Sequence, residues 1–379
     1  MNLRRFINLA LVLFFFVVAN TQAISIDTEG YFLNNLTPIA LPPFKYTSTV
    51  SSSSELINAI KLANQKNNTL IKLKPGHYQI KSTLQISGNN ISIIGDPKNP
   101  FAIRISGNGM RATRDVDNLL WISGKSLFLA GVTLEHAGNH LIQIVGESNA
   151  DNPTITHSVL QNSYEQLLKV SYNDKLPQSR SKSGIVAHCL FRYTKGIGPN
   201  YYIGGIDAHG ITNWQITNNV FDSIASPKDH IAEHAIHIWN NSEQNTVSNN
   251  LIVNSDRGIG FGMRNNRHKN IKFGQFGGII SDNVIYHANN SHPFADTGII
   301  LEDSPETNIV KNLIFLEHRY PNAIEYRFKK TSEVLIANNT TNKLIQSRNG
   351  GSAIVLSNTI DYTKTKAIIK TKLAGFIDY

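Results

Sequence analysis

The sequence predicts an all-β solenoid, with short strands wound into stacked coils and one amphipathic helix closing the amino-terminal end. Two observations predict the coils and a third predicts the cap. The first is a recurring Asn-plus-apolar segment: NNVF at Asn218–Phe221, NNLI at Asn249–Ile252, DNVI at Asp282–Ile285 and KNLI at Lys311–Ile314, with weaker copies NNTT at Asn338–Thr341 and SNTI at Ser357–Ile360. Their starts are separated by 31, 33, 29, 27 and 19 residues, a spacing that suits coils resting on their neighbours. The second is the reading from Leu119 to Ile360, where short apolar runs are punctuated throughout by Gly, Asn, Asp and Ser. The third is ELINAIKLANQ at Glu55–Gln65, which puts Leu56, Ile57, Ile60 and Ala63 on one helical face.

Taken in chain order, Arg4 and Arg5 precede the apolar run Leu9–Val18, and Thr21-Gln22-Ala23 offers small residues for cleavage. Residues 1–23 therefore read as a signal peptide, and residues 24–379 as one exported domain, secreted or periplasmic. No later stretch approaches the roughly 20 apolar residues that span a bilayer. The cap helix is expected over about 54–66, with Ser54 as its N-cap. TLIKLKPGHYQI follows, with Pro75-Gly76 turning between two strands; NISIIGD at Asn90–Asp96 and AIRISG at Ala102–Gly107 are further strands. Coils run over about 70–365, and the tail over about 366–379 is expected to cover the last of them. Asn at strand-to-strand turns tolerates left-handed backbone, and its amide can bond the same amide one coil away.

The chain carries one cysteine, so no intrachain disulfide forms, and Cys189 in GIVAHCLF reads as a buried thiol. Lys and Arg number 36 against 27 acidic residues, a formal charge of +9. That balance draws a protein toward polyanions. No zinc-finger, helix-turn-helix or RNA-binding signature accompanies it, so an acidic polysaccharide is the expected partner rather than nucleic acid. The chain is read as a monomer.

One segment of each coil can be superposed: LIQIV at Leu141, LLKVS at Leu167, GIDAH at Gly205, AIHIW at Ala235, GIGFG at Gly258, GIILE at Gly298, AIEYR at Ala323 and LIQSR at Leu344. Their second and fourth residues are almost all apolar and should point into the tube, because side chains alternate along a strand. The third residues then face out: Gln143, Lys169, Asp207, His237, Gly260, Ile300, Glu325 and Gln346. The fifth do so too: Val145, Ser171, His209, Trp239, Gly262, Glu302, Arg327 and Arg348. With rungs about 4.8 Å apart, Lys169, Asp207 and His237 should share one line.

This pattern resembles the single-stranded right-handed parallel β-helix superfamily of pectate lyases, alginate lyases, polygalacturonases and mannuronan C5-epimerases. Ser51–Ile80 looks like the amino-terminal helix and first coil common there, and the resemblance covers roughly residues 48–365. It implies the fold and a polysaccharide-active protein, but not one chemistry. Asp207-Ala208-His209-Gly210 is similar to the Asp-Pro-His-Asp segment of the epimerases at its first and third positions only. No complete polygalacturonase signature occurs.

Uronate lyases and epimerases both begin by removing the C5 proton, alpha to the sugar carboxylate. That step needs a base with a near-neutral pKa and positive charge or a metal at the carboxylate. His237 or His209 is the expected base, with Asp207, Lys169 and Arg257 completing the catalytic set. Trp239, His234, Arg264 and Arg327 are expected to bind substrate. Gly260 and Gly262 are expected to form a bare shelf for a sugar ring. Two metal sets are open: calcium at Asp207 with Glu233 or Glu302, or a transition metal at His209, His234 and His237. The long inserts Lys175–Lys182, Thr194–Tyr202, Pro227–Ala232 and Asn265–Phe276 should wall one groove. A C5 lyase is the leading reading. Epimerase, glycoside hydrolase (on Asp207 with Glu233 or Asp256) and non-catalytic carbohydrate-binding protein remain open.

Overall fold

An apolar side chain at every second strand position leaves each coil with a face that cannot meet water, and stacking covers it. The computed structural model of the chain, which describes residues 24–264 and 270–378, shows the result. It is a right-handed parallel β-helix of three long sheets with twelve, eleven and ten strands. The segment 1–23 read as a signal peptide lies outside the described residues. No described helix is long and apolar enough to cross a membrane.

One coil illustrates the path. Gln215–Thr217 lies in the twelve-stranded sheet, Asn218-Asn219 turns the chain, Val220–Asp222 lies in the eleven-stranded sheet, and a loop leads to Ile236–Trp239 in the ten-stranded sheet. The inward columns agree with the sequence reading: Ile142, Leu168, Ile206, Ile236, Ile259, Ile299 and Ile324 are all fully buried, each contributing about 1.5–3 kcal/mol of burial.

The two residues of each repeat divide their tasks. The first (Asn218, Asn249, Asp282, Lys311, Asn338, Ser357) takes left-handed backbone, with φ between 55° and 58°. The second forms a ladder through the wall. The side-chain amide of Asn219 donates to Asn250 Oδ1 at 3.0 Å, and the pattern continues through Asn283, Asn312, Asn339 and Asn358 at 2.9 Å each. Cys189 stands at the head of this column, its backbone N–H donating to Asn219 Oδ1. Burial pushes its thiol up to about 12, so it is not a thiolate at neutral pH.

The cap helix spans Ser53–Lys66 and buries Leu56, Ala59, Ile60 and Ala63. Its N-cap is Ser52 rather than Ser54. Ser52 Oγ accepts from the Glu55 N–H at 3.3 Å, while the Glu55 carboxylate accepts from the Ser51 N–H at 2.7 Å. The first of these contacts requires a serine three residues before the glutamate.

The tail takes a different course from the expected one. The helix Tyr362–Lys372 lies along the flank of the eleven-stranded sheet, whose outer column Val159, Leu190, Val220, Leu251, Val284 and Leu313 is apolar. Ile369 and Leu373 cover it together with Phe32 of the helix Thr28–Asn34. Ser25–Ile26 pairs antiparallel with Ile377–Asp378, so both ends of the described chain meet over this flank. Ile354, Leu356 and Ile360 on the last coil remain exposed.

Candidate active site

The ten-stranded sheet carries the predicted outward column in the predicted register: Gln143 beside Lys169, Lys169 beside Asp207, Asp207 beside His237, and His237 beside Gly260. His209 pairs with Trp239 in the next column. Loops enclose this face from both edges. Residues 194–202 and 227–232 rise before its strands, and residues 175–182 and 270–276 after them; residues 265–269 of the last insert lie outside the described residues.

Asp207 is the hub. It is 3 % exposed and is ion-paired to Lys169. Its Oδ1 accepts from Trp239 Nε1 at 2.7 Å and lies 3.3 Å from His209 Nε2. Burial alone would raise its carboxyl, but Lys169, His209 and His237 together hold it well below the usual carboxylate range. Burial likewise disfavours the Lys169 ammonium, yet the charge and hydrogen bond of Asp207, with Tyr202 and Glu233, together outweigh it and raise the amine. Lys169 is therefore a fixed cation.

The two central histidines differ. His237 is 1 % exposed, with Nε2 3.2 Å from the Gly262 carbonyl and Nδ1 3.4 Å from Glu233 Oε2. Burial opposes its charge, but Glu233, then Asp207 and the Gly262 carbonyl, raise its pKa. For His209 burial wins over Asp207, and its pKa is lowered, favouring the neutral ring. A proton on its Nε2 satisfies Asp207 and leaves Nδ1 as the basic nitrogen, 2.9 Å from the Asn240 side-chain amide. Trp239 stacks on the His237 ring at 5.0 Å and 7° and touches the His209 ring at 4.4 Å.

Gly260 and Gly262 form no bare shelf. A side chain at Gly260 would meet the His234 ring at 2.7 Å, so the missing Cβ makes room for that histidine to fold over the sheet. Gly262 has φ +80°, and a Cβ there would meet the Glu302 carbonyl at 1.9 Å. His234 is buried with neither ring nitrogen hydrogen-bonded, and burial, reinforced by His237 and Arg257, holds its pKa well down.

Glu233, His234 and His237 each offer one ligand atom within 4.8 Å of the others, so they could hold a divalent cation. This set replaces the expected His209, His234 and His237, because His209 turns toward Asp207 and Asn240. Its two nitrogens and one oxygen do not suit calcium, which takes 6–8 oxygens; they suit a zinc-like ion. Nor does the expected calcium pairing of Asp207 with Glu302 assemble. Glu302 is bound to Arg327 at 2.7 Å and to the Arg264 backbone N–H at 3.0 Å.

Arg257 and the distal arginines stand apart from the hub. Arg257 Nε lies 3.7 Å from Asp296. Arg264 and Arg327 both sit over the Phe328 ring, and Arg348 pairs with Glu325. His234, Arg257, Gly262, Glu302 and Arg327 meet around a small cavity of about 70 Å³. A larger groove of about 890 Å³ opens on the other edge, lined by Lys175, Arg180, Lys182, Lys272 and Asn241, the neighbour of Asn240. Sequence reasoning missed Asn240, Asp296 and Tyr202. Tyr202 lies in a predicted loop, and the charges of Lys169, Asp207 and Glu233 act on its hydroxyl. Tyr202 alone left a signal, as the last residue of the insert Thr194–Tyr202; Asn240 only follows the superposed segment AIHIW, and Asp296 lies in no named segment.

No protein-family model matches the chain, and no curated protein does. Among solved structures, the chain is similar to a mannuronic acid specific polysaccharide family 6 lyase from human gut microbiota, at 15% identity over 83% of this chain and 78% of that one, with a TM-score of 0.52. It is also similar to an alginate lyase from Paenibacillus sp. str. FPU-7, at 13% identity over 80% and 98%, TM-score 0.45. A third is endopolygalacturonase I from Stereum purpureum, at 12% identity over 83% and 100%, TM-score 0.43. At such identities the likeness is one of fold.

Proposed function

We propose that this chain is a polysaccharide-acting enzyme, and that it is a lyase on uronate-containing chains working by proton abstraction at C5. The observation that carries the reading is the Asp207–His209 pair: a neutral imidazole held by a buried carboxylate, beside the fixed cation Lys169. His209 Nδ1 takes the C5 proton, displacing the Asn240 amide, and Asp207 stabilises the imidazolium that forms. Lys169 offers positive charge to the sugar carboxylate as the C5–H electron pair moves onto it. That pair then forms the C4=C5 double bond and expels the C4 oxygen, which takes a proton from the Tyr202 hydroxyl. A divalent cation held by Glu233, His234 and His237 would add positive charge at the same place.

The large groove carries four cations against Asp174 and Glu243, the latter paired with Arg180, and this net positive lining suits a polyanionic chain; the shared fold with a mannuronic acid specific lyase is compatible with such a substrate. Hydrolysis fits less well. It needs one carboxyl that stays protonated at the substrate; Asp207 and Glu233 are both held below their ordinary values, and Asp256, which burial raises to about 6, is 1 % exposed and turned to the Ser226 and Ala232 N–H groups. Export directed by residues 1–23 belongs to the same proposal, and the amino-terminal residue of the protein recovered outside the cytoplasm checks it.

The test is incubation with a panel of acidic polysaccharides, with and without added divalent metal. The expected result is an unsaturated uronate seen by ultraviolet absorbance. New reducing ends without unsaturation would mean hydrolysis, and altered C5 stereochemistry in an intact chain would mean epimerisation. His209→Ala should lower kcat by about 10²–10⁴-fold with little change in melting temperature. Full activity in that variant removes His209 as the base.

A further inference from the structure

A second cluster of metal-ligating side chains lies behind the active-site wall. Asp256, His287 and His292 each offer one ligand atom within 4.8 Å of the others. Asp256 and His292 lie on successive loops joining the eleven-stranded to the ten-stranded sheet, and His287 ends the strand Val284–His287 that leads into the second of them. Asp256 and His287 are 1 % and 2 % exposed.

Each of the two buried residues has one polar atom engaged and one left open. Asp256 Oδ2 accepts from the Ser226 N–H at 2.9 Å and the Ala232 N–H at 3.0 Å, while Oδ1 is buried with no hydrogen bond. His287 Nδ1 lies 2.7 Å from the Ala288 carbonyl, which fixes the proton there and the lone pair on Nε2. That Nε2 is also buried and without a hydrogen bond, as is His292 Nδ1. A ring N–H donated to a backbone carbonyl is how metal-bound histidines are usually oriented. Buried polar atoms are otherwise nearly always paired, so three open atoms in one such cluster call for a partner that accepts lone pairs from all three.

We infer that Asp256, His287 and His292 form a structural site for a first-row divalent transition metal of the zinc class, separate from Glu233, His234 and His237. Two imidazole nitrogens and one carboxylate oxygen are the donors such ions take, and hard cations prefer all-oxygen shells. The fourth position falls to water or to His318, whose Nε2 is likewise buried and open and whose ring lies 5.0 Å from that of His287. The ion would clamp the wall of the active site. Through its carboxylate, Asp256 holds both ends of the 226–232 loop that delivers Glu233 and His234. Its neighbour Arg257 pairs with Asp296, on the same loop as His292.

The rival arrangement is a proton shared between Asp256 and His287 with no metal, and a metal titration separates the two. The full chain carrying His234→Leu, which disables the first cluster, is stripped with a chelator and titrated with Co²⁺ and then Zn²⁺. One equivalent of Co²⁺ should bind with the visible absorption of a low-coordinate nitrogen–oxygen site, Zn²⁺ should displace it, and the melting temperature should rise on metal addition. Adding His292→Ala, which alters a half-buried loop residue, should weaken Co²⁺ binding by more than the roughly hundredfold that loss of an outer-shell partner costs. Asp256→Asn, which keeps an acceptor for Ser226 and Ala232, should do the same. No stoichiometric Co²⁺ uptake in the His234→Leu chain, or unchanged affinity after His292→Ala, overturns the site.

Discussion

Two polar stacks run along this solenoid, and they are built in opposite ways. In the asparagine ladder every amide atom is used. Asn250, for example, donates to Ile216 O and Asn283 Oδ1, and accepts from the backbone and side chain of Asn219. In the candidate active-site column both ring nitrogens of His234 are buried without a hydrogen bond, and Glu233 Oε2 and His237 Nδ1 have only each other, 3.4 Å apart. Each such atom costs about 1–3 kcal/mol. A polar stack that only holds coils together closes its bonds, whereas this column keeps lone pairs and charges ready for something absent from the resting chain.

The sharpest way to separate the two is pH, because the ladder has nothing to titrate. The lowered pKa of His209 means the neutral base survives below its ordinary value of about 6.5. Burial raises the pKa of Tyr202, the proton donor to the C4 oxygen, so its hydroxyl stays protonated beyond its ordinary value of about 10. The profile of kcat/KM should therefore be a bell whose plateau runs from below about pH 6.5 to above about pH 10, falling roughly tenfold per unit beyond each limb. The stability terms have the same signs. The contribution of His237, whose pKa is raised, is complete below about 6.5 and is lost as pH rises through its folded pKa. That of Asp207 is present above the ordinary carboxylate range and is lost as pH falls through its depressed one. A flat profile, or a basic limb unchanged in Tyr202→Phe, breaks the assignment.

Next in size is Asn283→Ala. It strips acceptors from the Asn250 backbone and side-chain N–H groups and donors from Val247 O and Asn312 Oδ1. The loss should be about 3 kcal/mol or more in urea unfolding, with kcat/KM unchanged. His234→Leu should do the reverse. Removing two open buried nitrogens for an apolar group of similar volume should stabilise the chain by about 1 kcal/mol while lowering activity. If His234→Leu is destabilising, the histidine is bonded in the resting protein and the contrast fails.

The columns were legible because alternation fixes which face a residue takes, and one correct superposition of segments then orders every coil. That is how Lys169, Asp207 and His237 fell into line. The cap helix was legible from its own period of 3.6 and was misplaced only at Ser54, where the capping contact depends on distance to Glu55. What alternation cannot give is the path of a loop. His234 fills the place above Gly260 because the loop before Glu233 folds back over the sheet, and period two says nothing of that. The covered flank did leave a trace: Val220 and Phe221, or Leu251 and Ile252, are apolar neighbours, so both faces of those strands had to be buried.

The smallest effect tests whether the ladder is a ladder or a set of separate turns. Asn358 is its last rung and is only partly buried. Its Oδ1 accepts from the backbone and side chain of Asn339, and its amide donates to Ile336 O. These groups are the same in kind as those around Asn283, but here water can reach them and replace what is removed. Asn358→Ala should therefore cost only about 0.5–1 kcal/mol, several-fold less than Asn283→Ala. If the two substitutions cost the same, each amide serves only its own turn and burial along the column adds nothing. If the cost falls toward the open end, the bond strength comes from the dry interior, the same low-dielectric surroundings that make the open atoms around His237 expensive to keep.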